Sequence, residues 1–184
     1  MTVVPRPTVS QRAVVAFTGH AVIAADVDEA EARVLGADGF GGALHPRVLA
    51  WLAGNSGTIG VNDVTLVGRG RGGSPALAAR HDLDDHYRVR HARALRSDVR
   101  VLGDERGLVT LGQGLAGRLE LSVETRANLH GRGAGRALIA DALTSVPAGE
   151  PVFAAVSPGN ARSLRAFLAI GFVPIGSEVI ILGG

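Results

Sequence analysis

The segment His130–Arg136 contains the residues whose types and spacing most clearly suggest chemistry. It reads HGRGAGR and lies between a predicted strand and a predicted helix. Glycines let the backbone approach a ligand closely, and the free N–H groups of a first helical turn favour a bound phosphate. Arg132 and Arg136 place positive charge beside these donors. The segment therefore predicts a site for a phosphate or pyrophosphate group.

Two common phosphate-binding motifs do not fit this segment. A P-loop ends in Gly-Lys-Ser or Gly-Lys-Thr, and all 19 basic residues of this chain are arginines. The dinucleotide fingerprint requires a glycine at its sixth position, where counting from Gly131 arrives at Arg136. A third phosphate-binding pattern is Arg/Gln-x-x-Gly-x-Gly/Ala. The chain fits its last three positions with Gly133, Ala134 and Gly135.

The sequence around this segment resembles the acetyl-CoA-binding motif of the GNAT superfamily of N-acetyltransferases. Residues 119–143 read LELSVETRANLHGRGAGRALIADAL. Asn160–Phe172 resembles the family's next motif, an Asn followed by a helix that ends in Gly-Phe. The two motifs occur in the family's order, with a short predicted strand between them. The resemblance covers residues 98–182, and the residues before 98 match no pattern.

The resemblance implies that acetyl-CoA binds as a co-substrate, with no metal. The strand around Val123 resembles the one whose backbone holds the pantetheine arm and stabilises the oxyanion. Asn160 lies beside the pantetheine in the family, and it can equally be the N-cap of the helix that follows it. The residues implied to contact the cofactor are Val123, Glu124, Thr125, His130, Gly131, Arg132, Gly133, Ala134, Gly135, Arg136 and Asn160.

A primary amine acceptor is protonated at neutral pH and requires a general base. Glu120 and Glu124 lie on one face of the predicted strand. Both are therefore candidates for the catalytic base, acting directly or through a water molecule. The alternative for each is an ordinary carboxylate, solvated or paired with an arginine such as Arg118 or Arg126.

The family's general acid is missing from its usual position. Many members place there a tyrosine that protonates the leaving thiolate, and this chain has Phe167, which we expect to belong to the core. The chain's one tyrosine, Tyr87, lies outside the motif. Either the thiolate leaves without a protein acid, or another group supplies the proton, or the protein binds acyl-CoA without turnover.

We therefore expect an N-acyltransferase that moves an acetyl group from acetyl-CoA to a primary amine of a small molecule or a protein, by direct transfer in a ternary complex. The alternative is a non-catalytic acyl-CoA-binding or interaction module. Nucleic-acid binding through the arginines of 88–100 is disfavoured, because acidic residues precede them and the net charge is only +2. We expect these arginines to form a solvated helix face. Acceptor identity, acyl-chain preference and oligomeric state, including a homodimer, are left open.

The residue patterns predict an α/β (α+β) fold, with a mixed, mostly antiparallel twisted sheet and flanking helices. A right-handed parallel βαβ unit across 119–156 carries the glycine segment. Residues 1–75 are expected to shape the acceptor side and 76–184 to form the cofactor-binding core, packed as one compact unit. The segment 68–75, GRGRGGSP, is predicted to be a mobile linker.

Composition sets the expected compartment. The chain has no cysteine, which excludes disulfides, a thiolate nucleophile and cysteine metal sites. A helix needs roughly 18 or more consecutive apolar residues to span a membrane, and no apolar run in the sequence approaches that length. We expect a cytoplasmic protein without a membrane or nucleic-acid partner.

Overall fold

The computed structural model describes residues 1–183, which form eleven strands and five α-helices. The strands are β1 (Thr2–Val4), β2 (Gln11–Phe17), β3 (His20–Ala24), β4 (Thr58–Ile59), β5 (Asp63–Arg69), β6 (Ala78–Ala79), β7 (Ser97–Asp104), β8 (Gly107–Gln113), β9 (Leu119–Thr125), β10 (Pro151–Val156) and β11 (Val173–Leu182). The helices are α1 (Glu29–Val34), α2 (Pro46–Ala53), α3 (Tyr87–Leu95), α4 (Ala134–Ala142) and α5 (Ala161–Ala169). Within the described part of the chain, no helix combines the length and the apolar character needed to cross a bilayer.

The chain divides into two compact units. The first contains Met1–Thr65 and the C-terminal strand from Ile175, and the second contains Leu66–Pro174. The prediction placed the boundary after residue 75 and assigned the last strand to the second part. The last strand belongs instead to the first unit because β11 pairs antiparallel with β2, with Leu182 opposite Gln11.

The first unit is a small sheet with two helices. β2 and β3 form a hairpin with a two-residue loop, in which Gly19 adopts a positive φ of 75°. β1 pairs parallel with β3, and β4 pairs with β11. Asp28 is the N-cap of α1, because its carboxylate accepts the N–H groups of Ala30 and Glu31. The buried core of this unit includes Val14, Ile23, Val48, Leu52, Val179 and Ile181.

The second unit contains the sheet that carries the predicted cofactor segment. Its strands lie in the order β5-β10-β9-β8-β7-β6. The pairs β6–β7, β7–β8 and β8–β9 are antiparallel, while β9 and β10 are parallel and connected through α4. The predicted mixed, mostly antiparallel sheet with flanking helices and a βαβ unit is confirmed.

The glycine-rich segment 68–75 is not a mobile linker, so that prediction was wrong. The N–H groups of Gly70, Arg71 and Gly72 donate to carbonyl oxygens of residues 143–150 at 2.8–2.9 Å. A Cβ at Gly68 would lie 2.6 Å from the ring of Phe172. These glycines therefore permit close packing of the backbone, a use that composition does not distinguish from flexibility.

Candidate functional site

Two glycines shape the approach to α4. Gly131 and Gly133 have φ values of 77° and 84°, which favour glycine over residues with a Cβ. Gly133 is the N-cap of α4, and its carbonyl accepts the N–H of Ala137 at 3.1 Å. The N–H groups of the first helical turn have no carbonyl acceptor within the helix. They leave this helix end as a group of donors that suits an anion.

The hydrogen-bond direction along β9 follows from its pairing with β8. Near one end of the ladder, the N–H of Arg126 donates to the carbonyl of Arg106 at 3.0 Å, and at the other end Gly114 donates to Arg118 at 2.9 Å. Bonding directions alternate along an antiparallel strand. Even-numbered residues of β9 therefore bond to β8, while odd-numbered residues such as Val123 direct their N–H groups toward β10.

β9 and β10 diverge where these donors lie. The two strands are in register at one pair, Glu120 opposite Phe153, and at no later position of β9 among residues 1–183. Within the described part of the chain, the backbone N–H groups of Val123 and Thr125 therefore have no ladder partner in β10. This opening directly precedes the glycine segment, so backbone donors and the N-terminus of α4 follow each other along one stretch of chain.

Arginines surround this stretch. Arg126, Arg132 and Arg136 make no ion pair with any described residue. Residues 66–174 contain 15 arginines and 10 acidic residues, so the second unit carries excess positive charge. This charge complements the donors of α4 and favours a polyanionic ligand.

Glu120 is held between two guanidinium groups. It is 4% exposed, its Oε2 accepts from Nε of Arg96 at 2.7 Å, and its Oε1 accepts from Nε of Arg118 at 2.8 Å. The backbone N–H of Leu115 also donates to Oε1 at 3.2 Å. These contacts are those of an arginine-paired carboxylate, the alternative that the sequence left open. A catalytic role for Glu120 stays a prediction and has no support from its surroundings.

Glu124 is more accessible and has a different set of partners. Its side chain is 28% exposed, and its Oε2 accepts from the hydroxyl of Tyr87 at 2.5 Å and from Nε of Arg88 at 2.6 Å. Burial raises the pKa of Glu124, but the hydrogen bonds from Tyr87 and Arg88 outweigh burial and leave the pKa below its ordinary value. The side chain is therefore an anion at neutral pH.

Sequence reasoning missed the role of α3. The arginines around 88–100 were expected to be solvated, whereas Arg88 and Arg96 contact the two carboxylates of β9. Eight residues of helix and four residues of strand both span about 12–13 Å. The distance from Arg88 to Arg96 along a helix therefore matches the distance from Glu120 to Glu124 along a strand. This match could have predicted the two ion pairs from the sequence. Arg93, paired with the exposed Asp84, fits the solvated expectation.

Two further residues lie where the sequence suggested. Asn160 is the N-cap of α5, because its Oδ1 accepts the N–H of Ser163 at 3.1 Å. Its contact with a cofactor stays a prediction. Phe167 is 2% exposed and packs edge-on against Phe172, with ring centroids 4.9 Å apart. Phe167 is therefore a core residue, as expected.

Comparison with known proteins shows likeness in structure and not in sequence. No protein-family model matches the chain, and no curated protein matches it. A putative acetyltransferase of the GNAT family from Novosphingobium aromaticivorans has 16% identity and a TM-score of 0.50, over 91% of this chain and 85% of that one.

Two other solved structures align over a smaller share. A GCN5-related N-acetyltransferase from Kribbella flavida has 14% identity and a TM-score of 0.42, over 69% of this chain and 60% of that one. A conserved protein of unknown function from Staphylococcus epidermidis has 14% identity and a TM-score of 0.46, over 70% and 63%. The chain thus spans less than two thirds of the length of these two proteins. The likeness to the Novosphingobium protein shows that this chain has the fold of GNAT-family acetyltransferases.

Proposed function

We propose that this chain is an N-acetyltransferase that moves the acetyl group of acetyl-CoA to a primary amine. The observation that carries the proposal is the divergence of β9 from β10 beyond the Glu120–Phe153 pair, which leaves the N–H groups of Val123 and Thr125 without a ladder partner in β10 among the described residues. The arginine-flanked N-terminus of α4 follows shortly afterwards along the chain.

The two parts of this arrangement suit the two parts of acetyl-CoA. The pyrophosphate would lie against the N–H groups of Gly131 and residues 133–136, with the side chains of Arg132 and Arg136 as charge partners. The N–H of Arg132 itself donates to the carbonyl of Leu129 at 3.2 Å. The pantetheine arm, which has amide groups, would pair with the backbone of Val123 and Thr125 as an added strand would. Asn160 would lie on the other side of the opening, after β10.

The chemistry is a direct attack of the amine on the thioester carbonyl. The N–H of Val123 stabilises the negative charge that develops on the carbonyl oxygen. Glu124, an accessible anion one residue further along the strand, accepts a proton from the amine. Because the chain has no cysteine, we propose no covalent acyl-enzyme intermediate. Binding both substrates at once accelerates the reaction by holding the amine close to the thioester carbonyl.

Calorimetric titration with acetyl-CoA tests the binding part of this proposal. We expect micromolar binding by the wild type, weakened by Arg136→Ala and unchanged by Arg100→Ala. Arg100 is an exposed arginine on β7 without an ion pair to a described residue, so its variant removes the same charge away from the glycine segment. A well-folded wild type that does not bind acetyl-CoA would overturn the proposal.

A non-catalytic acyl-CoA-binding module is the second candidate. The observation that favours it is the burial of Phe167, which leaves the family's usual position without a proton donor. Release of free thiol from acetyl-CoA in the presence of a panel of primary amines separates the two functions. Turnover supports the transferase, and tight binding without turnover across the panel supports the module.

A further inference from the structure

We propose that Tyr87 is the catalytic residue that protonates the departing thiolate, in a proton relay with Glu124. This inference rests on the proposed acetyltransferase function. The leaving group of a thioester is a thiolate, and its expulsion is assisted by a nearby acid. The chain has no lysine or cysteine and a single tyrosine, so it contains one phenol that could act in this way.

The hydroxyl of Tyr87 is held at the candidate base. Tyr87 is the first residue of α3, and its hydroxyl donates to Oε2 of Glu124 at 2.5 Å. Its ring lies 4.8 Å from the ring of His86 and 5.7 Å from the guanidinium carbon of Arg88. The residue is nevertheless 58% exposed. The phenol is thus fixed in position and open to a substrate.

The two oxygens of Glu124 have separate surroundings. Oε2 accepts from Tyr87 and Arg88, whereas Oε1 has its nearest basic neighbour in Nε2 of His86 at 3.8 Å, beyond hydrogen-bond distance. Oε1 is therefore available to an amine. The Nδ1 of His86 accepts the N–H of Arg88 at 3.3 Å. Nδ1 of His86 is therefore already engaged with the backbone of α3.

The pair also lies next to the reacting position. Glu124 follows Val123 directly, and the N–H of Val123 faces the opening between β9 and β10. The neighbouring hydroxyl of Ser122 shares a 2.6 Å hydrogen bond with Thr110, which is completely buried. Phe167 has no proton to give. Tyr87 thus places an exposed phenol, hydrogen-bonded to Glu124, beside this part of β9.

The relay balances protons over one turnover. The ammonium of the acceptor first releases one proton to bulk water. The C–N bond then forms as the neutral amine attacks, and a second amine proton passes to Oε1 of Glu124. The C–S bond breaks as the phenol of Tyr87 gives its proton to sulfur. Glu124 then returns its proton to the phenolate, so both side chains recover their starting state. The products are the acetylated amine and the free thiol of CoA.

The first test is Tyr87→Phe, which keeps the ring and removes the acid. We expect kcat to fall roughly a hundredfold, in the range of general-acid effects, while acetyl-CoA affinity by calorimetry stays within about twofold. A wild-type kcat in this variant overturns the inference and leaves the proposed function intact. A wild type that binds acetyl-CoA but turns over no amine overturns both.

The second test uses the fact that Tyr87 is the chain's only tyrosine. Protein made with 3-fluorotyrosine carries a single, more acidic phenol at this position and is otherwise unchanged. The charged or titratable groups that face the pair are His86 and Arg88 of α3, and β8 presents Leu108 opposite Glu124. We expect the alkaline limb of the kcat profile to move to lower pH. If the alkaline limb of kcat lies at the same pH in the unmodified and the 3-fluorotyrosine protein, Tyr87 only positions Glu124, and the relay is overturned.

Discussion

Arg96 and Glu120 form a buried ion pair in which Nε lies 2.7 Å from Oε2 and the side chains are only 11% and 6% exposed. The pair connects the C-terminal end of α3 to the start of β9. Arg88 and Glu124 make the equivalent contact further along the same two elements, with side chains 31% and 28% exposed. The buried pair therefore suits a structural role and the exposed pair suits chemistry.

The first prediction concerns the stability of the buried pair. Arg96→Met should lower the free energy of unfolding by roughly 3 kcal/mol, because removing one partner of a buried pair leaves an under-compensated charge. Arg93→Met is the matched control, since its partner Asp84 is exposed, and it should cost less than about 1 kcal/mol. Urea unfolding of both variants measures the difference. An equal loss of unfolding free energy in Arg96→Met and Arg93→Met would contradict a structural role for the Arg96–Glu120 pair.

The second prediction separates the two glutamates. Glu124→Gln should lower kcat roughly a hundredfold, because the amide cannot accept the amine proton, and should leave acetyl-CoA affinity unchanged. Steady-state kinetics measures kcat, and calorimetry measures the acetyl-CoA affinity. If Glu124→Gln keeps wild-type kcat, the base lies elsewhere and the proposed role of Glu124 is wrong.

The third prediction concerns pH and the first unit. Burial, followed by the nearby Glu178, raises the pKa of Asp63 to about 6. A raised folded-state pKa contributes stability that is present below the unfolded value, about 4, and is lost as pH rises through about 6. The contribution is on the order of 1 kcal/mol after allowing for solvent screening at this half-exposed group.

Asp63→Asn should therefore stabilise the protein above pH 6, where the wild type has lost this contribution. The substitution should also remove the fall in melting temperature that Asp63 causes between pH 4 and 7. Thermal unfolding across this range checks the effect, with Asp85→Asn as an exposed control. If the melting temperature of Asp63→Asn follows pH in the same way as that of the wild type, Asp63 does not titrate as described.

The fourth prediction distinguishes two glycines of the cofactor segment. Gly133→Ala should destabilise the fold by about 1 kcal/mol, because φ is positive there, at 84°. Gly135→Ala should be neutral or slightly stabilising. Its Cβ would meet Thr125 and Ala166 at 3.6 and 3.9 Å, which are ordinary contacts. Melting temperatures of the two variants test this order, and the reverse order would contradict the described backbone.

Local patterns in the sequence predicted β9, α4, α5 and the glycine-rich turn between β9 and α4. Alternating side chains predicted β9, and Asn160 marked the start of the helix that it caps. The glycines of 131–135, placed between a strand and a helix, indicated an anion site from the residue pattern alone. These features depend on residues within one or two turns of each other, so their physical causes are visible in a short window.

Contacts between distant residues were decided only by the tertiary structure. The pairing of β11 with β2, the packing of the glycines at 68–72, and the contact of Tyr87 with Glu124 each join segments far apart in the chain. A glycine that permits close packing has the same composition signal as a flexible one. Residue types and their local spacing show which groups are available for chemistry. Which of these groups meet depends on the topology of the sheet, because side-chain proximity follows from strand order and register.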